Sequence, residues 1–260
     1  MTTPVTLTVE QAVATVTVDN PPVNALADPV LDGLGDIAES LQRDEAVRAV
    51  VLTGAGERSF LAGADLAEFE RMLGDADAMA AHVALTRRVF GAWAGLPQPV
   101  VAAVTGHAVG GGLEIALVCD FIVADPRARI GVPEVGLGLI PGAGGTQRLP
   151  RRVGLGTARR MLLTGELLRA PEAKELGLVD VVAAEGSALD AAQGLAARIA
   201  ALPAQAVRAA KHALRAAGTQ PLDDGLAAER SLFLGVAASA DAREGASAFL
   251  GKRPAQFIHA

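Results

Sequence analysis

Hydrophobic and polar residues follow two periods along the first part of the chain. Val5 to Val9 and Val13 to Val18 alternate threonine with apolar residues, which is the two-residue period of a half-buried strand. Continuous apolar runs predict short buried strands over 49–53, 100–104, 121–124 and 128–131. Apolar residues at helical spacing predict helices over 29–41, 76–96 and 110–118. Strands that alternate with helices predict parallel pairing in a mixed α/β domain.

The pattern changes near residue 187, beyond which only helical spacing remains. Apolar residues recur at helical intervals over 187–201, 203–217, 221–238 and 241–250. Pro203 and Pro221 stand at positions that suit the first turn of a helix. We therefore predict a core domain over residues 1–186 and a helical region over residues 187–260. The alanine and leucine rows of these helices could pack on the core domain or on another subunit.

The longest apolar stretch, Val100 to Ala124, is long enough for a membrane-spanning helix. It contains His107, Glu114 and Asp120, however, and charged residues inside a bilayer are costly. The sequence therefore favours a buried strand followed by a buried helix. The segment Met1 to Glu10 has neither the basic nor the apolar region of a signal peptide, so we expect a cytoplasmic protein.

Composition excludes several classes of protein. The chain has 260 residues, of which 51% are hydrophobic and 3% aromatic, and its formal net charge is −6. The apolar content argues against a disordered chain, and the acidic balance with few aromatic residues argues against a general nucleic-acid-binding protein. A single cysteine excludes a disulfide framework and a cysteine-based metal site. Gly33 to Ala38 matches a loose dinucleotide fingerprint, but no strand leads into it, which argues against a cofactor site.

Three glycine-rich segments are the candidates for chemistry: 60–66, 106–114 and 133–149. Glycine lets a ligand approach the backbone closely and permits positive φ angles. The run Gly110 to Gly112 precedes a helical pattern, so its N–H groups lie at a helix start, where they have no intrahelical partners. Such a turn can hold an oxygen atom on which negative charge develops.

Two glutamates in these segments stand in apolar surroundings. Glu114 lies one turn into the helix that follows the glycine run, and Glu134 lies between Pro133 and Val135. Burial raises the pKa of a carboxyl group towards neutrality, which suits acid–base catalysis. Alternatively, each glutamate could pair with an arginine or cap a helix. The residues alone leave both interpretations open.

The three glycine-rich segments together resemble the enoyl-CoA hydratase/isomerase (crotonase) family. The segment Asn20 to Leu26 resembles the family's N-terminal motif, and Asp241 to Gly245 with Phe249 and Lys252 resembles its C-terminal end. The similarity covers nearly the whole chain in the family's order. It implies an α/β fold, a crotonase-like ββα superhelix, with a helical C-terminal trimerisation region. The implied substrate is an acyl-CoA thioester.

The resemblance also implies catalytic roles for four residues. The N–H groups of Ala62 and Gly111 would bind the thioester oxygen as an oxyanion hole. Glu114 would activate the water that attacks the β-carbon of a trans-2-enoyl thioester, and Glu134 would protonate the α-carbon. The product would be a 3-hydroxyacyl-CoA. No metal and no further cofactor is expected, since coenzyme A is part of the substrate.

Five further residues match family positions near coenzyme A: Ala64, Asp65, Leu66, Phe249 and Lys252. The last two often reach the site from a neighbouring subunit, so the resemblance implies a homo-oligomer, either a trimer or a dimer of trimers. Neither a nucleic acid nor a membrane is an expected partner. Ala67 and Thr105 depart from the family, where many relatives carry lysine and asparagine, respectively.

Other functions remain compatible with the sequence. A Δ3,Δ2-enoyl-CoA isomerase would move a proton within the substrate, but such isomerases commonly keep only one of the two glutamates. Loss of a glutamate would favour a non-catalytic acyl-CoA-binding relative, and a strongly basic helix would favour an RNA-binding relative. Neither feature is prominent in this chain.

Overall fold

Two β-sheets form the centre of the protein in the computed structural model, which describes residues 3–259. The larger sheet contains, in spatial order, β1 (Val5–Glu10), β2 (Val13–Val18), β3 (Ala49–Gly54), β5 (Val100–Val104), β7 (Phe121–Ala124) and β10 (Val181–Val182). The smaller sheet contains β4 (Ser59–Leu61), β6 (His107–Val109), β8 (Arg129–Gly131) and β9 (Leu167–Arg169). Only β1 and β9 run antiparallel to their neighbours, so the expected parallel pairing is confirmed.

Helices surround the sheets and make up the C-terminal region. The first six are α1 (Asp28–Arg43), α2 (Leu66–Met72), α3 (Ala76–Gly95), α4 (Gly111–Ala116), α5 (Gly145–Thr164) and α6 (Ala170–Glu175). The last four are α7 (Ala188–Ala200), α8 (Ala204–Ala217), α9 (Leu222–Ala237) and α10 (Ala240–Leu250). The helical spacing predicted α1, α3, α4 and α7 to α10. A short 3₁₀ helix covers Glu134–Leu137.

The apolar stretch from Val100 to Ala124 folds into β5, β6, α4 and β7. Its interpretation as a buried strand followed by a buried helix is therefore correct, with a short strand between the two. Across residues 3–259, no helix combines the length and the apolar character needed to cross a membrane.

The central strands are apolar on both faces because each face packs on a different helical layer. Val50 and Leu52 of β3 join the cluster that contains α1 and α3. Val51, between them, joins a second cluster with the alanines of α7. Alternate residues of a strand point to opposite faces, so a strand buried on both sides reads as a continuous apolar run. The first helix of the region 187–260 thus covers the larger sheet.

The helices after α7 present a different surface. Lys211 of α8 is buried, donates a hydrogen bond to the Gln98 carbonyl and forms an ion pair with Asp120. By contrast, α9 and α10 carry exposed large apolar side chains: Leu222, Leu226, Phe233, Leu234, Phe249 and Leu250. Apolar area of this extent on helical faces is typical of a surface that associates with another chain.

Gly112 brings α4 into direct contact with β4. A Cβ atom at this position would lie 1.8 Å from the carbonyl oxygen of Leu61, a distance that no folded backbone tolerates. Only glycine therefore allows the helix to start against the strand. This contact places the beginning of α4 beside the residues that follow β4.

We expect Gly112→Ala to lower the free energy of unfolding by about 3 kcal/mol, because the methyl group forces α4 away from β4. The melting temperature should fall by roughly 10 °C. Gly91→Ala is the matched control, since a Cβ atom at Gly91 in α3 meets no atom within 4 Å. Equal melting temperatures for the two variants would contradict the steric argument.

Candidate active site

A cavity of about 530 Å³ lies between the residues that follow β4, helix α3, the start of α4 and the 3₁₀ helix. Six of the residues singled out in the sequence line it: Ala62, Ala64, Leu66, Gly111, Glu114 and Glu134. Most of its remaining wall is apolar. An apolar cleft with a few convergent polar groups is the usual form of a small-molecule site.

Two glycine turns meet at the wall of this cavity. Gly110 precedes α4 with φ 57°, and Gly63 has φ 88°, both in the region that favours glycine. A Cβ atom on Gly63 would lie 3.3 Å from the nitrogen of Gly111, so the two backbones touch. Gly111 is the first residue of α4, and its N–H has no partner within the helix. Ala62 immediately precedes Gly63 and lines the same cavity.

Glu114 is fixed by the start of α5. Its Oε1 accepts hydrogen bonds from the N–H groups of Ala143 at 2.8 Å and Gly145 at 2.7 Å. The side chain is buried, with the residue only 3% exposed. Burial raises the pKa of Glu114, and the hydrogen bonds from Gly145 and Ala143 oppose that rise because they favour the ionised form.

Glu134 begins the 3₁₀ helix and lies against the turn at Gly110. A Cβ atom on Gly110 would be 3.0 Å from Oε1 of Glu134. Oε2 is buried and has no hydrogen-bond partner within residues 3–259. Burial, with a smaller effect from the charge of Glu114, raises the pKa of Glu134 to about 7. The cavity therefore holds one carboxyl group that accepts two N–H bonds and a second, unpaired one whose pKa is raised to about 7.

The raised pKa of Glu134 makes folding stability depend on pH. The pKa of Glu134 in the folded protein, about 7, lies above its ordinary value of 4.5. The contribution of Glu134 to folding stability is therefore fully present below pH 4.5 and is lost as pH rises through 7. Glu134→Gln cannot ionise. We expect its melting temperature to exceed that of the wild type by about 2 °C at pH 8, allowing for solvent screening. The gain should disappear at pH 4, and a pH-independent difference in thermal scans would contradict this explanation.

The remaining predicted contacts of coenzyme A lie in different places. Asp65 caps α2, where its carboxylate accepts hydrogen bonds from the N–H groups of Ala67 and Glu68, and it does not line the cavity. Phe249, in the last turn of α10, is 85% exposed. Lys252 follows α10 and is also exposed. Neither Phe249 nor Lys252 lines the cavity of its own protomer, and their assignment to the coenzyme A site stays a prediction.

Most of the cavity wall belongs to the three glycine-rich segments, but sequence reasoning singled out no individual residue of α3. Helix α3 contributes four lining residues at helical spacing: Met79, His82, Val83 and Thr86. These occupy one face of α3, so the period of 3.6 residues could have grouped them. Nothing local shows that this face meets the site, because the contact depends on how α3 packs.

Comparisons with known proteins agree with this architecture. Residues 8–259 match a family model described as enoyl-CoA hydratase/isomerase. The crotonyl-CoA hydratase of Syntrophomonas wolfei is 39% identical over 96% of this chain and 95% of its own. The 2,3-dehydroadipyl-CoA hydratase of Escherichia coli is 42% identical over 95% of this chain and 96% of its own. An enoyl-CoA hydratase structure from Bacillus anthracis superposes with a TM-score of 0.93 at 36% identity, over 99% of this chain and 100% of that one.

The fold expected from the resemblance is therefore confirmed, both as a crotonase-like α/β fold and in its helical C-terminal region. The family model spans nearly the whole chain, and the similarity to the two hydratases extends over nearly all of their lengths. The chain is an enzyme of the enoyl-CoA hydratase/isomerase, or crotonase, family.

Proposed function

We propose that this enzyme adds water to trans-2-enoyl-CoA thioesters and forms 3-hydroxyacyl-CoA. The observation that carries the proposal is the pair of carboxyl groups in one cavity, in different environments. Glu114 accepts two backbone N–H bonds, whereas Oε2 of Glu134 is buried without a partner. Two carboxyl groups whose surroundings differ in this way suit the roles of base and acid.

In the proposed reaction, Glu114 takes a proton from a water molecule as the water oxygen bonds to the β-carbon. The electron pair of the double bond moves towards the α-carbon and the thioester oxygen. Glu134 then gives its proton to the α-carbon, so that one water molecule is added in total. The reaction needs neither a metal nor a redox cofactor.

The proposed oxyanion hole consists of the N–H groups of Ala62 and Gly111. Negative charge grows on the thioester oxygen during addition, and donors already in place stabilise that charge without reorganising. The start of α4 adds a partial positive charge at Gly111. In a comparable site, loss of one donor costs about 2.7–4 kcal/mol of transition-state stabilisation.

Coenzyme A would extend past Ala64, Asp65 and Leu66, and we propose that Phe249 and Lys252 complete its site from a neighbouring subunit. Support for a homo-oligomer, a trimer or a dimer of trimers, comes from the exposed apolar side chains of α9 and α10. Phe249 belongs to this surface and does not line the cavity of its own protomer.

Hydration of crotonyl-CoA tests the proposal, followed as loss of the ultraviolet absorbance of the conjugated thioester. Steady loss with formation of 3-hydroxybutyryl-CoA is the expected result. A rise in the same absorbance with a trans-3-enoyl-CoA, without hydration of crotonyl-CoA, would show an isomerase instead. Tight binding of crotonyl-CoA without any turnover would show a non-catalytic acyl-CoA-binding protein.

A further inference from the structure

A second polar group lies in the otherwise apolar wall of the cavity, on helix α3. Nδ1 of His82 lies 3.1 Å from Oδ1 of Asp28, the first residue of α1. The His82 side chain is only 13% exposed and lines the cavity. Thr86 lines the cavity one turn further along α3. Neither His82, Thr86 nor Asp28 has a part in the proposed hydration.

The partner of His82 determines what its other nitrogen can do. An ionised carboxylate only accepts hydrogen bonds, so Nδ1 carries the proton that is donated to Asp28. In the neutral imidazole, Nε2 then has no proton and acts as an acceptor. Nε2 makes no hydrogen bond with residues 3–259, and it is not among their buried unpaired atoms. It is therefore available to a bound ligand.

Thr86, like His82, carries a hydrogen-bond acceptor without a free donor. Its hydroxyl donates its only hydrogen to the carbonyl of His82, at 2.9 Å. What remains on Oγ1 is a pair of acceptor lone pairs. Two neighbouring side chains on the cavity-lining face of α3 thus carry acceptors, and neither has a free donor. A ligand group that matches them must donate a hydrogen bond.

Charge disfavours an anionic group at this position. Asp28 carries one carboxylate, and Glu68 lies beside it, since Oε2 of Glu68 accepts a hydrogen bond from the Asp28 N–H at 3.1 Å. A carboxylate on the acyl chain would meet two negative charges and two acceptors. A neutral hydroxyl group meets no such repulsion and supplies the missing donor.

From this arrangement we infer that the enzyme prefers acyl-CoA thioesters whose acyl chain carries a hydroxyl group beyond the β-carbon, which donates its hydrogen to Nε2 of His82. The inference rests on the proposed function, because the acyl chain must occupy this cavity. His82 is then a specificity-determining residue, and Asp28 is a positioning residue that sets its tautomer.

Binding of saturated thioesters tests the inference without requiring turnover. Dissociation constants are measured by calorimetry. The ligands are hexanoyl-CoA, its 4-, 5- and 6-hydroxy derivatives, and adipyl-CoA, whose chain ends in a carboxylate. We expect at least one hydroxy derivative to bind the wild type about tenfold more tightly than hexanoyl-CoA, as one added hydrogen bond would give.

Variants separate recognition from packing. His82→Phe keeps a ring but removes Nε2, and it should reduce the preference for the hydroxy derivative to about twofold or less while hexanoyl-CoA still binds. Asp28→Asn should reduce the preference in part, because an amide can hold either tautomer. Met79→Leu is the matched control, since Met79 lines the same cavity on the same helix and takes no part in the polar contact.

Three results would overturn the inference: no hydroxy derivative that binds better than hexanoyl-CoA, a preference that survives His82→Phe, or adipyl-CoA as the tightest ligand. If any of these three results is found together with normal hydration of crotonyl-CoA, the inference is wrong and the proposed function is still supported. Conversely, a hydroxyl preference without turnover of any enoyl-CoA supports the recognition site and contradicts the proposed hydration.

Discussion

Glu114→Gln should lower the turnover number for crotonyl-CoA by about 10³- to 10⁴-fold, as expected when a general base is removed. The amide oxygen of glutamine can still accept the N–H groups of Ala143 and Gly145, so the loop before α5 should keep its position. The loss would therefore belong to the chemical step. Initial rates at saturating crotonyl-CoA provide the measurement.

Glu175→Gln makes the same chemical change on the exposed surface of α6 and serves as the control. Its turnover should equal that of the wild type. Hydration by Glu114→Gln at more than about a tenth of the wild-type rate would rule out Glu114 as the base, given the usual size of general base catalysis.

Glu134→Gln is expected to reduce kcat/KM for crotonyl-CoA by about 10²- to 10⁴-fold, because an amide cannot supply the proton for the α-carbon. The wild type should also show a particular pH profile. An acid must be protonated to act, and the pKa of Glu134 is about 7. The kcat/KM of the wild type should therefore fall about tenfold for each pH unit above 7.

The residual activity of Glu134→Gln should lack this alkaline decline, since the group that loses its proton is gone. Profiles of log kcat/KM between pH 5 and 9 for both proteins make the comparison. An unchanged decline near pH 7 in the variant would assign that pKa to another group. Binding of butyryl-CoA, which needs no proton transfer, should differ little between the two proteins.

The five longer strands of the larger sheet could be predicted, but in the smaller sheet only β8 could, for a physical reason. Strands β3 and β5 are buried on both faces, so four consecutive apolar residues mark β3 and five mark β5. The strands β4 and β6 have three residues each, too few to show any period. Their pairing depends on the close approach of glycine turns, a property of the folded chain. Helix α2 buries none of its residues, so no apolar stripe marks it either.

The candidate site likewise has a part that sequence indicates and a part that it does not. Glu114 and the glycine run stand together in sequence, and a charged residue in an apolar helix is conspicuous in itself. The contact between Asp28 and His82 joins residues that are 54 positions apart, on two different helices. Nothing in either local sequence indicates the other residue. Sequence thus indicates the reacting groups, whereas the shape and polarity of the acyl cavity come from the packing of α1 and α3.

The contact of Gly112 with Leu61 also bears on the kinetics of substrate binding. Ala62 follows Leu61, and Gly111 precedes Gly112, so the two proposed oxyanion donors are direct neighbours of the contact. One backbone contact therefore sets the distance between donors that come from separate segments. A thioester entering this site would find the two proposed donors held at a fixed spacing by that contact. Association should accordingly follow single-step kinetics, with an observed rate linear in thioester concentration and no slow closure phase.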